Sequence, residues 1–512
     1  MSRRPRALGL VAAAVATALL AACASPTDAA PQGTAAADKP LVIALNAALA
    51  SIDPVKANSQ RTEGNILTSV YSTLTQTDPQ GELKGDLATG WTQTDPYTWV
   101  FTIRDGVTFT NGDPLGPDEV VKGIQRYFDP DLGSKGLGSI PTFKSAAVQG
   151  DHDVVITTTS PELTLPDALE QFYLVDPLYA ADHDLGSDAV GSGPYKIVSY
   201  DPQGTITLTR NDGFYGTAPA FKDVTFKVIP EEASRVSALK AGEIDVLTSF
   251  DPQSLDQVES IDGLNVGATE GLRTHFILLD TRQKPLDDVR VRQALNYAVD
   301  KQSIADSIFK GLTKPGLYIT EGTLGYDPDL LPYAYDPEKA KALLKEAGYG
   351  DGLKLEILNA PGSYAGDDLT VQAVADQLSK VGVTLTIKNL PYTTYLQYVL
   401  EQDGKKADPL NFRSFAGSSK AALVNRYTLL ESTNTSSLNG DAEYDKLVEK
   451  AREGLTYDEQ DALFRKANDY LYDQAQVIYL FNEPLTYAYS KSLSWVPRGE
   501  QWLRPFDFTP AS

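Results

Sequence analysis

The sequence predicts an α/β fold. Two patterns carry that prediction: a buried-strand run at the start of the body, Leu41-Val42-Ile43-Ala44-Leu45, and a strand–helix–strand alternation in the later half. Leu353, Leu355 and Ile357 alternate with polar residues. Val371, Val374, Leu378 and Val381 then recur at helical spacing, Gly382 breaks the pattern, and Val383, Leu385 and Ile387 alternate again. Two strands joined through a helix are a parallel crossover, because parallel neighbours need a long connection and a hairpin does not supply one.

Ahead of the body, Arg3, Arg4 and Arg6 precede a small-apolar run from Ala7 to Ala22 that ends at Cys23. A spanning helix needs about 20 strongly apolar residues. This Ala-rich run falls short of that and reads as an export signal over residues 1–22. Leu20-Ala21-Ala22-Cys23 resembles the bacterial lipobox, which makes Cys23 the expected lipidation site and mature N-terminus. Two acyl chains give stable anchoring where one gives marginal binding. Arg3-Arg4 leaves twin-arginine export open beside the general route. Residues 23–39, almost without large apolar side chains, are expected to be a flexible linker with a root-mean-square span of about 20 Å.

The chain has one cysteine, so no internal disulfide is expected, and its 512 residues suffice for a core without one. It carries 45 basic and 68 acidic residues, a net charge of −23. Loss of the three leader arginines leaves 42 basic residues against the 68 acids, or −26. Nucleic acid is excluded as a partner by such a surface.

Along the body, Tyr97, Trp99, Phe101 and Ile103 alternate and meet Asp105-Gly106, a favoured hairpin turn. Strands are also expected at Val154–Thr158, Thr205–Thr209 and Val224–Val228. Asp336-Pro337 reads as N-cap and first-turn proline of a helix whose face is Ala340, Leu343, Leu344 and Ala347, with Gly348 as its stop. Helices are expected at Asp441–Gly454 and Tyr457–Gln474. Val291, Ala294, Leu295 and Ala298 form another helical face, capped by Asp288, with Arg290 and Arg292 expected on the surface.

Several segments together resemble the bacterial solute-binding proteins of family 5, which include oligopeptide- and dipeptide-binding proteins of ABC importers. They are Ser51-Ile52-Asp53-Pro54, Leu87-Ala88-Thr89-Gly90-Trp91, Trp99 through Phe109, Gly191 through Lys196, Ala241-Gly242-Glu243-Ile244-Asp245, Val289 through Asp300, and Tyr335 through Ala340. The resemblance implies a two-lobe periplasmic-binding-protein-like fold of the cluster C type, with an extra subdomain and a ligand cleft between lobes. It implies lobe I at residues 40–272 and 481–512, with the subdomain at 76–180, and lobe II at 273–480. Two chain crossings make a hinge, and closure turns binding into a shape a permease reads. The implied partners are a small solute, peptide or peptide-like with non-peptides open, the transmembrane subunits of an ABC permease, and the membrane through the lipid anchor. The protein is expected to be a monomer on the outer face of the bacterial cytoplasmic membrane.

No cofactor, metal or catalytic set is expected. Ser237-Ala238-Leu239-Lys240 matches the S-x-x-K of penicillin-recognising enzymes, and Ser437-Leu438-Asn439 offers a second motif, so an exported serine hydrolase is the rival reading; no K-T-G-like partner accompanies them. His152, His183 and His275 are isolated, without metal-ligand spacing. In peptide-binding members of the family an aspartate in a W-x-x-D stretch pairs with the ligand amine. The matching stretch here, Asn411 to Lys420, has no acid; Phe415 stands for the tryptophan and Gly417 or Ser418 for the aspartate. The ligand walls are expected at Ser59, Gln60 and Arg61 in the first lobe and at Phe412, Arg413, Phe415 and Ser418 in the second, with Arg413 suited to an anionic or carbonyl group. Burial in a helical core is at least an equal expectation for Phe412 or Phe415 taken singly.

Overall fold

The computed structural model describes residues 39–57, 62–134, 140–400, 409–416, 420–500 and 502–511, without the side chains of 393, 400 and 420–422. All of these belong to one compact unit, residues 36–512. Cys23, the leader and all but Lys39 of the linker lie outside the described residues, as do Ser59, Gln60, Arg61 and Ser418.

Ten strands form the main sheet: β1 (Leu41–Leu45), β2 (Tyr195–Tyr200), β3 (Thr205–Arg210), β4 (Asp223–Val228), β5 (Val246–Thr248), β6 (Leu264–Leu279), β7 (Leu353–Asn359), β8 (Val383–Asn389), β9 (Leu410–Phe415) and β10 (Val477–Ser490). Their order is β2-β3-β4-β1-β5-β10-β6-β9-β7-β8. The β1 strand runs parallel to β4 and β5, and β7 parallel to β8 and β9. In the middle, β5, β10, β6 and β9 are antiparallel. The sheet is therefore two α/β halves joined through the long antiparallel pair β6 and β10, of 16 and 14 residues.

Each half has its own cores. Leu41, Ile43, Ile66, Phe226 and Phe508 pack together in the first, and a four-stranded antiparallel sheet (Ala88–Asp95, Thr98–Ile103, Phe143–Gln149 and Asp153–Thr158) adds a core around Phe101, Val120 and Ile156. In the second half, Ile277, Leu295, Ile357 and Val371 fill one face, while Phe276, Tyr318, Tyr444 and Leu471 fill the other. The expected crossover is present: helix Asp367–Ser379 joins β7 to β8 and buries Val371, Val374 and Leu378. Helix Pro337–Glu346 begins as its sequence dictates, with the Asp336 carboxylate accepting from the Lys339 N–H at 2.9 Å. Before β2 the chain passes so close to helix Glu63–Val70 that a Cβ on Gly193 would lie 2.7 Å from the Ser69 carbonyl oxygen. Only glycine fits that approach.

Three expectations are corrected. Asp105-Gly106 is a turn, but not a hairpin turn: Thr98–Ile103 pairs with Ala88–Asp95 and Asp153–Thr158, whereas Val107-Thr108 pairs with Pro114-Leu115. Short-range turn chemistry cannot tell which strands it connects. Arg292 is buried rather than on the surface, because its guanidinium donates to the carbonyls of Leu286 and Gln474, both at 2.8 Å. Phe412 and Phe415 lie on strand β9 rather than in a helical core.

Candidate functional site

The joint between the halves is where the β6–β10 ladder loses register. Glu270 pairs with Pro484, and pairing resumes only at Thr274 with Asn482. Within this break a Cβ on Gly271 would come 2.6 Å from the Glu483 carbonyl oxygen, so glycine sets how closely the strands cross. A cavity of about 420 Å³ opens against the break, walled by Thr269 to Leu272 and Asn482, by Thr320 to Gly322, and by Gln80 and Glu500 of the first half. Its ionisable wall residues are all acids, namely Asp167, Glu270, Glu321 and Glu500.

Behind this acidic wall the second half carries basic side chains, with His275, Arg413 and Arg426 buried and Arg273 half-buried. Arg273 Nε lies 3.2 Å from Glu483 Oε2, and His275 Nε2 lies 3.5 Å from the same oxygen. The Arg273 guanidinium also sits 5.4 Å from the Tyr364 ring centroid. Tyr364 is positioned by the Asp367 carboxylate, which gathers the N–H groups of Gly362, Ser363 and Tyr364 at 2.8–3.0 Å. Arg426, fully buried, donates to the carbonyls of Tyr318 at 2.7 Å and Leu272 at 2.6 Å and to the Thr320 hydroxyl at 3.0 Å. Arg413 is 7 % exposed, and its Nε and Nη2 find no acceptor among the described residues.

Desolvation governs the ionisation here. Burial pushes the Arg413 guanidinium below its ordinary value and Arg426 down to about 10. Burial also raises the phenols of Tyr318 and Tyr364, and that of Tyr395 to about 12. These tyrosines stay neutral at physiological pH and supply no phenolate to offset the guanidinium.

Of the expected second-half residues, Arg413 and Phe415 share one face of β9, two residues apart. Phe415 is half-buried, with Arg426 5.8 Å from its ring centroid. Phe412 is on the opposite face, 2 % exposed, its ring 5.6 Å from His275. Sequence reading passes over Arg273, Arg426 and Glu483, and takes His275 only as an isolated histidine. The available signal was an Arg and a His inside the strand run Leu272-Arg273-Thr274-His275-Phe276-Ile277, since charge in a buried strand needs a reason. Ser237 of the S-x-x-K match is on helix Glu232–Lys240, where its hydroxyl donates to the Ala233 carbonyl at 2.7 Å. Among the described residues no His, Cys, Asp and Glu side chains cluster as metal ligands, and no helix is long and apolar enough to cross a membrane.

The model for bacterial extracellular solute-binding proteins, family 5 (middle), matches residues 82–436. The glutathione-binding protein GsiB of Shigella boydii serotype 4 is 25 % identical over 521 aligned positions, covering 97 % of each chain. Two solved structures share the fold. The ABC transporter substrate-binding protein CtaP of Listeria monocytogenes superposes with a TM-score of 0.82 at 21 % identity, covering 92 % of this chain and 99 % of CtaP. The ABC transporter-associated periplasmic binding protein DppA of Helicobacter pylori, in complex with the peptide STSA, has a TM-score of 0.74 at 22 % identity, covering 92 % and 98 %.

Proposed function

Because the chain belongs to the bacterial extracellular solute-binding proteins of family 5, we propose that it is the substrate-binding component of an ABC importer. It captures a peptide or peptide-like small solute between two closing lobes and hands it, unaltered, to a membrane permease. The observation that carries this reading is the register break at Glu270 to Thr274, where two strands pass between separately cored halves beside a cavity. Such a crossing absorbs a change in angle between halves without disturbing either core. Lobe I comprises residues 40–272 and 481–512 with the 76–180 subdomain, and lobe II residues 273–480. Ser59, Gln60 and Arg61 face the solute from lobe I; Arg413, Phe415 and Ser418 face it from lobe II, with Phe412 packed behind them. The names of GsiB and DppA favour a peptide-like solute.

The protein acts as a monomer on the outer face of the cytoplasmic membrane, held by lipid on Cys23. Mass spectrometry of the native N-terminus is expected to find a diacylated cysteine; a free thiol on a secreted product would contradict the anchor. The capture reading is tested by extracting the purified protein, identifying the co-purified solute by mass spectrometry, and measuring small-angle scattering with and without it. Solute recovered intact, with a smaller radius of gyration when bound, is the expected result. Chemical conversion of the solute, or binding without compaction, would count against it.

A further inference from the structure

Arg413 is a buried cation with an unused edge. Its Nε and Nη2, which find no acceptor, are the two adjacent donors of the guanidinium's side-on fork. That fork matches the two oxygens of a carboxylate bidentately, a geometry a lysine or a single carbonyl does not offer. Leaving charged donors buried and unpaired is costly, so a folded protein keeps such a group where something else pairs with it.

Nothing described in the protein fills that role. Glu483 faces Arg273 and His275 on the opposite face of the sheet, where Phe412 also packs. Arg426 adds a further positive charge, held by carbonyls. Neither Arg413 nor Arg426 forms an ion pair among the described residues, within a chain whose net charge is −23. The position is also right for a ligand. The pairings Ser414–His275 and Phe415–Thr274 bring the end of β9 to the register break. Leu272 and Thr320, which accept from Arg426, wall the 420 Å³ cavity.

We propose that Arg413 anchors a carboxylate of the captured solute, an assignment that rests on the solute-capture reading above. The solute then meets lobe II acid-first, and the acidic cavity wall at Glu270, Glu321 and Glu500 receives its cationic part. This inverts the arrangement in which a lobe II aspartate holds a ligand amine, and it accounts for Asn411–Ala416 having no acid.

The test uses the purified full chain and matched probes: glutathione with its diethyl ester, and trialanine with its C-terminal amide, titrated calorimetrically. The acid of each binding pair is expected to bind at least about tenfold tighter than its ester or amide, the scale of a charge-assisted bond. Arg413→Met should collapse that ratio to near one, and Arg413→Lys should keep part of it. The ligand-free Tm of Arg413→Met should not fall, which separates lost recognition from lost folding. Equal affinity within pairs, or a ratio that survives Arg413→Met, overturns the anchor and leaves solute capture standing. If no probe binds, the co-extracted solute decides: an acidic group supports the anchor, and its absence overturns it. No probe binding and no solute recovered would overturn the capture reading itself, and the anchor with it.

Discussion

Two buried arginine clusters lie in the two halves of this protein, and they are balanced differently. In the first half, Arg498 pairs with Glu500 and, at 3.3 Å, with Asp507, while Arg504 pairs with Glu170 at 3.0 Å. Both arginines also donate to the Thr77 carbonyl, at 2.6 and 2.8 Å, so the C-terminal segment is tied to an early strand. Two guanidiniums there meet three carboxylates. In the second half Arg426 is held by carbonyls and a hydroxyl, and Arg413 leaves Nε and Nη2 without an acceptor among the described residues. A buried cluster in which every guanidinium meets a carboxylate holds a fold together. A buried guanidinium with two unpaired donors is what the proposed carboxylate anchor accounts for.

The difference is sharpest in what removal should do. Arg504→Met strands Glu170, itself 2 % exposed, as an uncompensated buried acid. Unfolding experiments are expected to show a loss of about 3–5 kcal/mol, with solute affinity unchanged in the protein that remains folded. A negligible loss would mean that the first cluster is not structural, and the contrast would fail.

Lys301 supplies an intermediate case, a buried cation satisfied by carbonyls alone. Its ammonium donates to Asn296 at 2.8 Å and to Val299 and Tyr333 at 3.3 Å, and burial pushes it down to about 7 from 10.5. Between those values the unfolded chain binds the extra proton, so stability should rise with pH from 7 to 10.5. That contribution is lost as pH falls through 7. Lys301→Met should flatten this part of the pH profile and, by removing the side-chain donor from the Asn296 and Tyr333 carbonyls, cost about 1–3 kcal/mol. A profile unchanged by the substitution would remove Lys301 from the comparison.

The smallest expected effect sets the scale. Asp336→Ala removes a helix cap that touches neither cluster, and should cost about 1 kcal/mol without altering binding. A change in solute affinity here would mean that affinity reports general loosening rather than the site.

Much of this was legible in the sequence, for reasons that differ by element. The Leu353–Asn389 crossover and the Asp336 cap rest on local periodicity and capping chemistry, which the structure follows residue by residue. The family resemblance was legible because its segments recur in order along the chain, and the match over residues 82–436 bears it out. The Arg273–Glu483 contact was not legible, since 210 residues separate its partners and only the pairing of β6 with β10 brings them together. Nor was the burial of Arg292, because an arginine on a helix reads as surface until the carbonyls of Leu286 and Gln474 are placed around it. Arg413 was picked out by residue type beside an acid-free loop; that its side-on fork is unpaired is a fact of packing that no spacing encodes.

The most direct measurement compares denaturant-induced unfolding of ligand-free Arg413→Met and Arg504→Met with the unsubstituted chain, alongside solute affinity for each. Replacing an unpaired buried charge by an apolar side chain is neutral or stabilising, whereas breaking a buried pair is not. The expected result is that Arg413→Met matches or exceeds the unsubstituted stability and binds at least about tenfold more weakly, while Arg504→Met loses stability and keeps its affinity. Equal destabilisation by both substitutions, with affinity untouched by Arg413→Met, would contradict the account.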